Sequence, residues 1–255
     1  MTGRLQDKVA IVTGGASGFG AGIVRCFAAE GAKVVIADLN PETGAAMVKT
    51  VKAAGGTAIF AQTNVTDRAQ LDAAVDMAKN TFGGLDIIVA NAGLGQRPCP
   101  VEETSEAEYD RQFDVNVKGV FHSCNAVLPT FRAQKSGNII VTASGIALRP
   151  RPNLVVYGAT KGAALNFAKG LALEVAADGI RVNSLCPGPG DTPMLAEFMG
   201  GTETEQGRET FRSNLPLGKL IAPEDMGWAA VYLAADSESG TITGVTLPVD
   251  SGRTV

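Results

Sequence analysis

Tyr157 and Lys161 stand one helical turn apart in Tyr157-Gly158-Ala159-Thr160-Lys161, and Ser144 precedes them in Val141-Thr142-Ala143-Ser144. A phenol is a poor acid or base at neutral pH, with an ordinary pKa of about 10. An ammonium beside it favours the phenolate and brings the phenol toward useful proton transfer. Residues i and i+4 share a helix face, so both side chains can be aimed at one point. A hydroxyl arriving from a neighbouring strand can hold a substrate oxygen there. The chemistry on offer is acid–base catalysis at a carbon–oxygen group. The same spacing also recurs by chance on amphipathic helices, so the surrounding chain must decide.

The run Thr13-Gly14-Gly15-Ala16-Ser17-Gly18-Phe19-Gly20 follows an apolar strand pattern and opens a helical one. Glycines at such a junction allow a tight turn and let a pyrophosphate reach the helix N-terminus, where free N–H groups favour anions. Asp38 ends the second strand pattern. A carboxylate there can accept hydrogen bonds from an adenosine ribose and repels a 2′-phosphate. Neither Ser17 nor Leu39 offers a compensating positive charge, so NAD is expected over NADP. The competing reading of Asp38 is a cap on the helix that begins at Pro41.

Those motifs sit in a regular alternation. Lys8–Thr13, Lys33–Asp38, Thr57–Gln62, Leu85–Ala90, Gly137–Ala143 and Ile180–Cys186 are short apolar runs rich in β-branched residues, as buried parallel strands require. Between them Phe19–Glu30, Pro41–Ala54, Arg68–Phe82, Glu106–Gln134 and Val155–Ala177 carry helical patterns. A further helix is expected at Pro223–Ala235 and a last strand near Val245–Val249. Gly31, Gly55 and Gly179 follow helices, where a left-handed cap is usual. The pattern predicts an α/β fold: a doubly wound parallel sheet in three α/β/α layers, as one domain over residues 1–255. Regularity breaks after Cys186, and residues 189–222 are expected to form a substrate lid, with Gly200-Gly201 as its hinge.

Composition narrows the classes. Lys plus Arg number 22 against 26 Asp plus Glu, giving a net charge of −4 without a basic tract, so no nucleic-acid partner is suggested. No apolar run approaches the about 20 residues that span a bilayer, and the N-terminal residues lack an apolar signal core. Cys26, Cys99, Cys124 and Cys186 form no Cys-x-x-Cys pair, and His122 is the only histidine. Neither a metal site nor a disulfide framework follows, and a soluble cytoplasmic protein is expected.

Taken in order, Thr13-Gly14-x-x-x-Gly18-x-Gly20, Asn91-Ala92-Gly93, Asn116, Ser144, Tyr157-x-x-x-Lys161, Pro187-Gly188 and Thr192 resemble the single-domain short-chain dehydrogenase/reductases over essentially the whole chain. The resemblance implies that Tyr157 is the general acid or base and that Lys161 lowers its pKa and binds the nicotinamide ribose. Ser144 would hold the substrate oxygen, and Asn116 a water that passes protons from Lys161 to solvent. The phosphate loop would contribute Gly14, Ser17, Gly18, Phe19 and Gly20, with Asp38, Leu39, Asn64 and Val65 toward the adenosine. Asn91, Ala92 and Gly93 would border its ribose, and Pro187, Gly188, Gly190 and Thr192 the nicotinamide. Three positions depart from the family pattern. Asn64 replaces a frequent Asp, Ala90 a common Asn, and Gly190 a frequent β-branched residue.

Arg97, Arg149, Arg151, Arg208 and Arg212 lie in segments that can border the substrate cleft, where guanidiniums would match an oxyanion. The alternative is solvation or pairing at subunit contacts. Met194, Phe198 and Met199 can form an apolar wall or simply pack the lid. The expected activity is NAD-dependent hydride transfer between a nicotinamide and a small-molecule secondary alcohol, or sugar-like hydroxyl, and its carbonyl. A 3-oxoacyl-thioester reductase and a non-catalytic dinucleotide-binding regulator are the rivals. The resemblance also implies a homotetramer with two-fold axes.

Overall fold

The computed structural model describes residues 3–255. Seven strands form one sheet: β1 (Val9–Thr13), β2 (Lys33–Asp38), β3 (Thr57–Gln62), β4 (Ile87–Ala90), β5 (Gly137–Thr142), β6 (Ile180–Pro187) and β7 (Thr246–Val249). Their spatial order is β3-β2-β1-β4-β5-β6-β7, and every pairing is parallel. The winding direction reverses between β1 and β4. Such a reversal leaves a crevice beyond the C-terminal strand ends, and the site lies there.

Strand pleating divides the core. Val9 and Ile11 point to one face, against α3 (Arg68–Phe82), α5 (Gly119–Gln134) and α6 (Val155–Val175). Ala10 and Val12 point to the other, against α1 (Gly18–Ala29), α2 (Pro41–Ala53) and α9 (Pro223–Ala234). Both faces are buried, which is why the strands are apolar at successive positions. Each large apolar side chain so covered contributes about 1.5–3 kcal/mol, and the strand ends are thereby held rigidly. Gly31, Gly55 and Gly179 have the expected positive φ.

The stretch Glu106–Gln134 is not the continuous helix its pattern predicts. It breaks into α4 (Glu106–Phe113), a π-helical turn (Asp114–Lys118) and α5. The wider turn carries buried Asn116, whose side chain is bonded to the segment after β4 (below). A π-turn of this kind commonly marks a functional position. Beyond β6 come α7 (Leu195–Phe198) and α8 (Glu205–Ser213), separated by Gly200 and Gly201 at φ 90° and 112°. Among the described residues no helix is long and apolar enough to cross a membrane.

Candidate active site

A cavity of about 340 Å³ opens at the sheet's reversal point. Its walls include Ser144, Tyr157 and Lys161, together with Gly14, Ser17, Gly18 and Phe19 of the first turn. Asn91, Ala92, Gly93, Pro187, Gly188, Gly190 and Thr192 complete that part of the lining. Gly20, Asp38, Leu39, Asn64, Val65 and Asn116 are not on its wall. Asn116 is fully buried, and Asp38 and Leu39 lie at the end of β2, where Leu39 is exposed.

The reacting end is built by α6 and β5. Val156, Tyr157, Thr160, Lys161 and Ala164 form the buried face of α6, the i, i+4 arrangement that the spacing demanded. The Tyr157 N–H donates to Gln96 Oε1 at 2.9 Å, which satisfies a first-turn donor with a buried side chain. Lys161 Nζ donates to the Thr142 carbonyl at 3.0 Å and lies 6.0 Å from the Tyr157 ring centre. Ser144 follows β5, its hydroxyl accepting from Ile146 N at 3.3 Å.

Burial governs both titratable groups. It pushes the Tyr157 phenol up to about 12; the Ser144 hydroxyl opposes the shift, and Glu197 adds to it. Burial also takes Lys161 down to about 8, with Cys186 pulling the other way. The spacing alone suggests a phenol eased downward by its ammonium neighbour. Here desolvation of the phenolate dominates, and Lys161, bonded to the Thr142 carbonyl and 6.0 Å from the ring centre, is not among the groups that shift the phenol.

Asn116 is pinned on several sides. Its Oδ1 accepts from Leu94 N at 2.8 Å. Its Nδ2 donates to Leu94 O at 3.1 Å, Gln112 Oε1 at 2.9 Å and Thr160 Oγ1 at 3.2 Å. Thr160 Oγ1 in turn donates to the Tyr157 carbonyl at 2.7 Å. A Cβ on Gly93 would lie 3.1 Å from Asn116 Oδ1 and 3.2 Å from Lys161 Nζ, so the two side chains meet across that glycine.

At the other end the first turn fits a dinucleotide. Gly14 and Gly18 adopt φ of 62° and 51°, which side-chain-bearing residues rarely do. Ser17 starts α1 without a side-chain cap, leaving the helix-start N–H groups available to a phosphate. A Cβ on Gly20 would sit 2.0 Å from the Gly14 carbonyl oxygen, so only glycine lets the helix approach its own turn. Asp38 accepts from Ala16 N at 3.0 Å and Asn40 N at 3.1 Å, tying the glycine turn to the end of β2. Asn40, not Asp38, caps α2 through Glu42 N and Thr43 N. Asn64 turns its carbonyl oxygen back to Thr66 N and Oγ1, at 3.0 and 2.9 Å. His122 is half-buried, with Nδ1 3.2 Å from the Val65 carbonyl oxygen.

Of the lid residues, Phe198 and Met194 line the cavity, and the Phe198 ring lies 5.3 Å from that of Tyr157. Met199 instead packs against the Gly207 backbone. Arg149 and Arg151 also line it, whereas Arg97, Arg208 and Arg212 do not. Gln96, Glu197, Phe211 and Arg253 were not legible as site residues. Phe211 and Arg253 reach the cavity from remote segments with no motif.

The chain matches the short chain dehydrogenase family over residues 8–201 and belongs to it. It is 45% identical to a 4-formylbenzenesulfonate dehydrogenase of Comamonas testosteroni over 99% of this chain and 100% of that one. It is 40% identical to a 2,5-dichloro-2,5-cyclohexadiene-1,4-diol dehydrogenase of Sphingobium indicum, over 100% and 99% of the two chains. A solved structure, the 3-ketoacyl-(acyl-carrier-protein) reductase of Brucella melitensis complexed with NADH, superposes with a TM-score of 0.91. It is 39% identical, and the likeness covers 98% of this chain and 100% of that one. The protein is therefore an oxidoreductase acting on a CH–OH group with a nicotinamide cofactor.

Proposed function

We propose that the chain is an NAD-preferring dehydrogenase of ring-bearing secondary alcohols, with Tyr157 as general acid and base. The observation that carries this reading is that Ser144, Tyr157 and Lys161 share one cavity wall with the glycine turn. When bound, the nicotinamide supplies hydride acceptance and donation. Tyr157 Oη takes the substrate hydroxyl proton during oxidation and returns it during reduction. Ser144 holds the same oxygen and stabilises the charge that grows there. Lys161 holds positive charge near the phenol and binds the nicotinamide ribose. Asn116 fixes the strand-end segment through which protons leave.

NAD preference is supported by the Asp38 carboxylate at the end of β2, with no cation at Ser17 or Leu39 to receive a 2′-phosphate. A ring-bearing substrate is supported by the apolar wall of Ile146, Leu154, Met194, Phe198 and Phe211, and by the ring compounds for which both quoted relatives are named. The chain works as one catalytic unit, with residues 189–222 as its lid. Exposed Tyr109, Phe121, Val155 and Leu173 on α4, α5 and α6 support a homotetramer joined through those helices. A monomer in light scattering at assay concentration would contradict it. Free Cys26, Cys124 and Cys186, all buried, suit a reducing cytoplasm.

The test is Tyr157→Phe, assayed by NADH absorbance over cyclic alcohols, polyols, hydroxy acids and a 3-oxoacyl thioester. Turnover should fall by at least about a hundredfold, the scale of general acid–base catalysis. Undiminished turnover would remove Tyr157 from the mechanism, and a thioester outpacing every alcohol would favour the acyl-reductase rival.

A further inference from the structure

The arginines near the cavity fall into two groups. Arg208 pairs with Asp191 at 2.8 Å and with Glu203; Arg212 pairs with Glu205 and, at 3.3 Å, with Glu209. These are satisfied. Arg149, Arg151 and Arg253 line the cavity itself, and among the described residues none of the three has a carboxylate partner. They come together from two distant segments, the loop after Ser144 and the turn after β7. Arg149 Nη1 donates to the Arg253 carbonyl at 2.9 Å. The Arg151 guanidinium lies 5.7 Å from the Phe211 ring centre. A side cavity of about 40 Å³ is bounded by Arg151, Arg253, Phe211 and Pro189, all of which also line the main one.

We propose that Arg151 and Arg253, with Arg149 beside them, form a subsite for a carboxylate or sulfonate carried by the substrate. The proposal deepens the oxidoreductase reading and rests on it for the position of the reacting hydroxyl. Three like charges at one end of a cavity repel one another, and an anion between them relieves that repulsion. Guanidinium forks match the two or three oxygens of such groups, and hydrogen bonds to an ionised acceptor are the strong ones.

Neither nearby acid forms an ion pair with these arginines among the described residues. Asp250 accepts from Gly252 N at 3.0 Å, Thr254 N at 2.9 Å and Thr254 Oγ1 at 2.6 Å, so it closes its own turn. Glu197, on α7, also lines the cavity, but it lies beside Gly95 and acts on Tyr157, and among the described residues it forms no ion pair with the three arginines. Burial, then Arg151 and Arg149, hold Arg253 below the ordinary arginine range despite Asp250. Arg149 and Arg151 share a loop with Ser144, so a bound anion would also fix which substrate hydroxyl meets that serine.

The test compares 4-hydroxycyclohexanecarboxylate with its carboxamide, ring alcohols of nearly equal shape that differ in one charge. With NAD, kcat/KM for the acid should exceed that for the amide at least tenfold, mainly through KM. Arg253→Met and Arg151→Met should each lower that ratio at least tenfold, Arg253→Lys should lower it less, and Arg208→Met should leave it in place. A ratio near one, or a ratio unchanged in both methionine variants, overturns the subsite. Calorimetric titration with benzenesulfonate against benzenesulfonamide gives a readout free of turnover. Arginine-dependent binding of the sulfonate alone supports the subsite even if no alcohol is oxidised, in which case only the oxidoreductase reading fails. Equal binding of both compounds overturns the subsite while leaving that reading intact.

Discussion

A Cβ on Gly190 would lie 2.1 Å from Cζ of Phe19, so the Phe19 ring occupies the space a side chain at 190 would need. The two residues belong to distant segments, the turn that opens α1 and the loop after β6, and they meet across the nucleotide cleft. This accounts for one departure from the family pattern. Gly190 lacks the frequent β-branched side chain because an aromatic ring fills its place from the opposite wall.

The pair should therefore behave as a coupled unit. Gly190→Val alone forces the ring aside and should cost about 1–3 kcal/mol of overpacking, together with weaker NADH binding. Phe19→Ile restores room, so the double variant should recover most of both losses. A double-mutant cycle read by thermal denaturation and NADH fluorescence measures the coupling. Strictly additive effects would show that the ring and the glycine are independent.

Asp38 is expected to set cofactor choice through charge. Asp38→Ser with Leu39→Arg removes the anion and supplies a guanidinium, so kcat/KM for NADP relative to NAD should rise roughly a hundredfold. The same change replaces the two carboxylate oxygens that accept from Ala16 N and Asn40 N by one hydroxyl on a shorter side chain, so a lower Tm is expected as well. If the unaltered enzyme already binds NADP more tightly than NAD, the role given to Asp38 is wrong.

The Tyr157 phenol, held up to about 12, loses its proton more readily as pH rises, so alcohol oxidation should accelerate from pH 7 to 10 and carbonyl reduction should slow. Lys161, held at about 8, is mostly charged at pH 7 and neutral at pH 10. Replacement by an uncharged residue therefore costs more at the lower pH. The ratio of parent to Lys161→Met oxidation rates should shrink about tenfold across that range. A ratio independent of pH would mean that the lysine acts only by binding ribose, not by its charge.

How far the site could be read in advance follows from what kind of contact makes it. The glycine turn, Asp38 and the Tyr157–Lys161 face are local patterns: each depends on a few adjacent residues and one helical or strand period. Gln96 and Arg253 were illegible because each serves a site residue distant in sequence, and neither lies in a periodic run. Arg149 and Arg151 were visible as candidates, but only packing separates them from Arg208 and Arg212, whose acids sit close by in the lid. The break at Asp114–Lys118 leaves no mark in the sequence pattern for a related reason. A single wide turn leaves the apolar pattern of the flanking helices intact.

That turn sets the last expectation. Asn116 joins Leu94 at both its N–H and its carbonyl, Gln112 on α4 and, through Thr160, the backbone of Tyr157. Asn116→Ala leaves the half-buried Leu94 N–H and the buried Gln112 Oε1 without their side-chain partner, and an orphaned buried group costs about 1–3 kcal/mol. For a chain of this size that lowers Tm by roughly 2–10 °C. If the side chain served only to hold the turn, kcat measured well below the new Tm would stay near that of the parent. A role in moving protons from Lys161 requires more. At such a temperature kcat should fall at least about tenfold, with KM for NAD little changed and circular dichroism that of the folded parent. Near-parental kcat in a folded Asn116→Ala enzyme would confine the residue to architecture and leave the proton path to other groups.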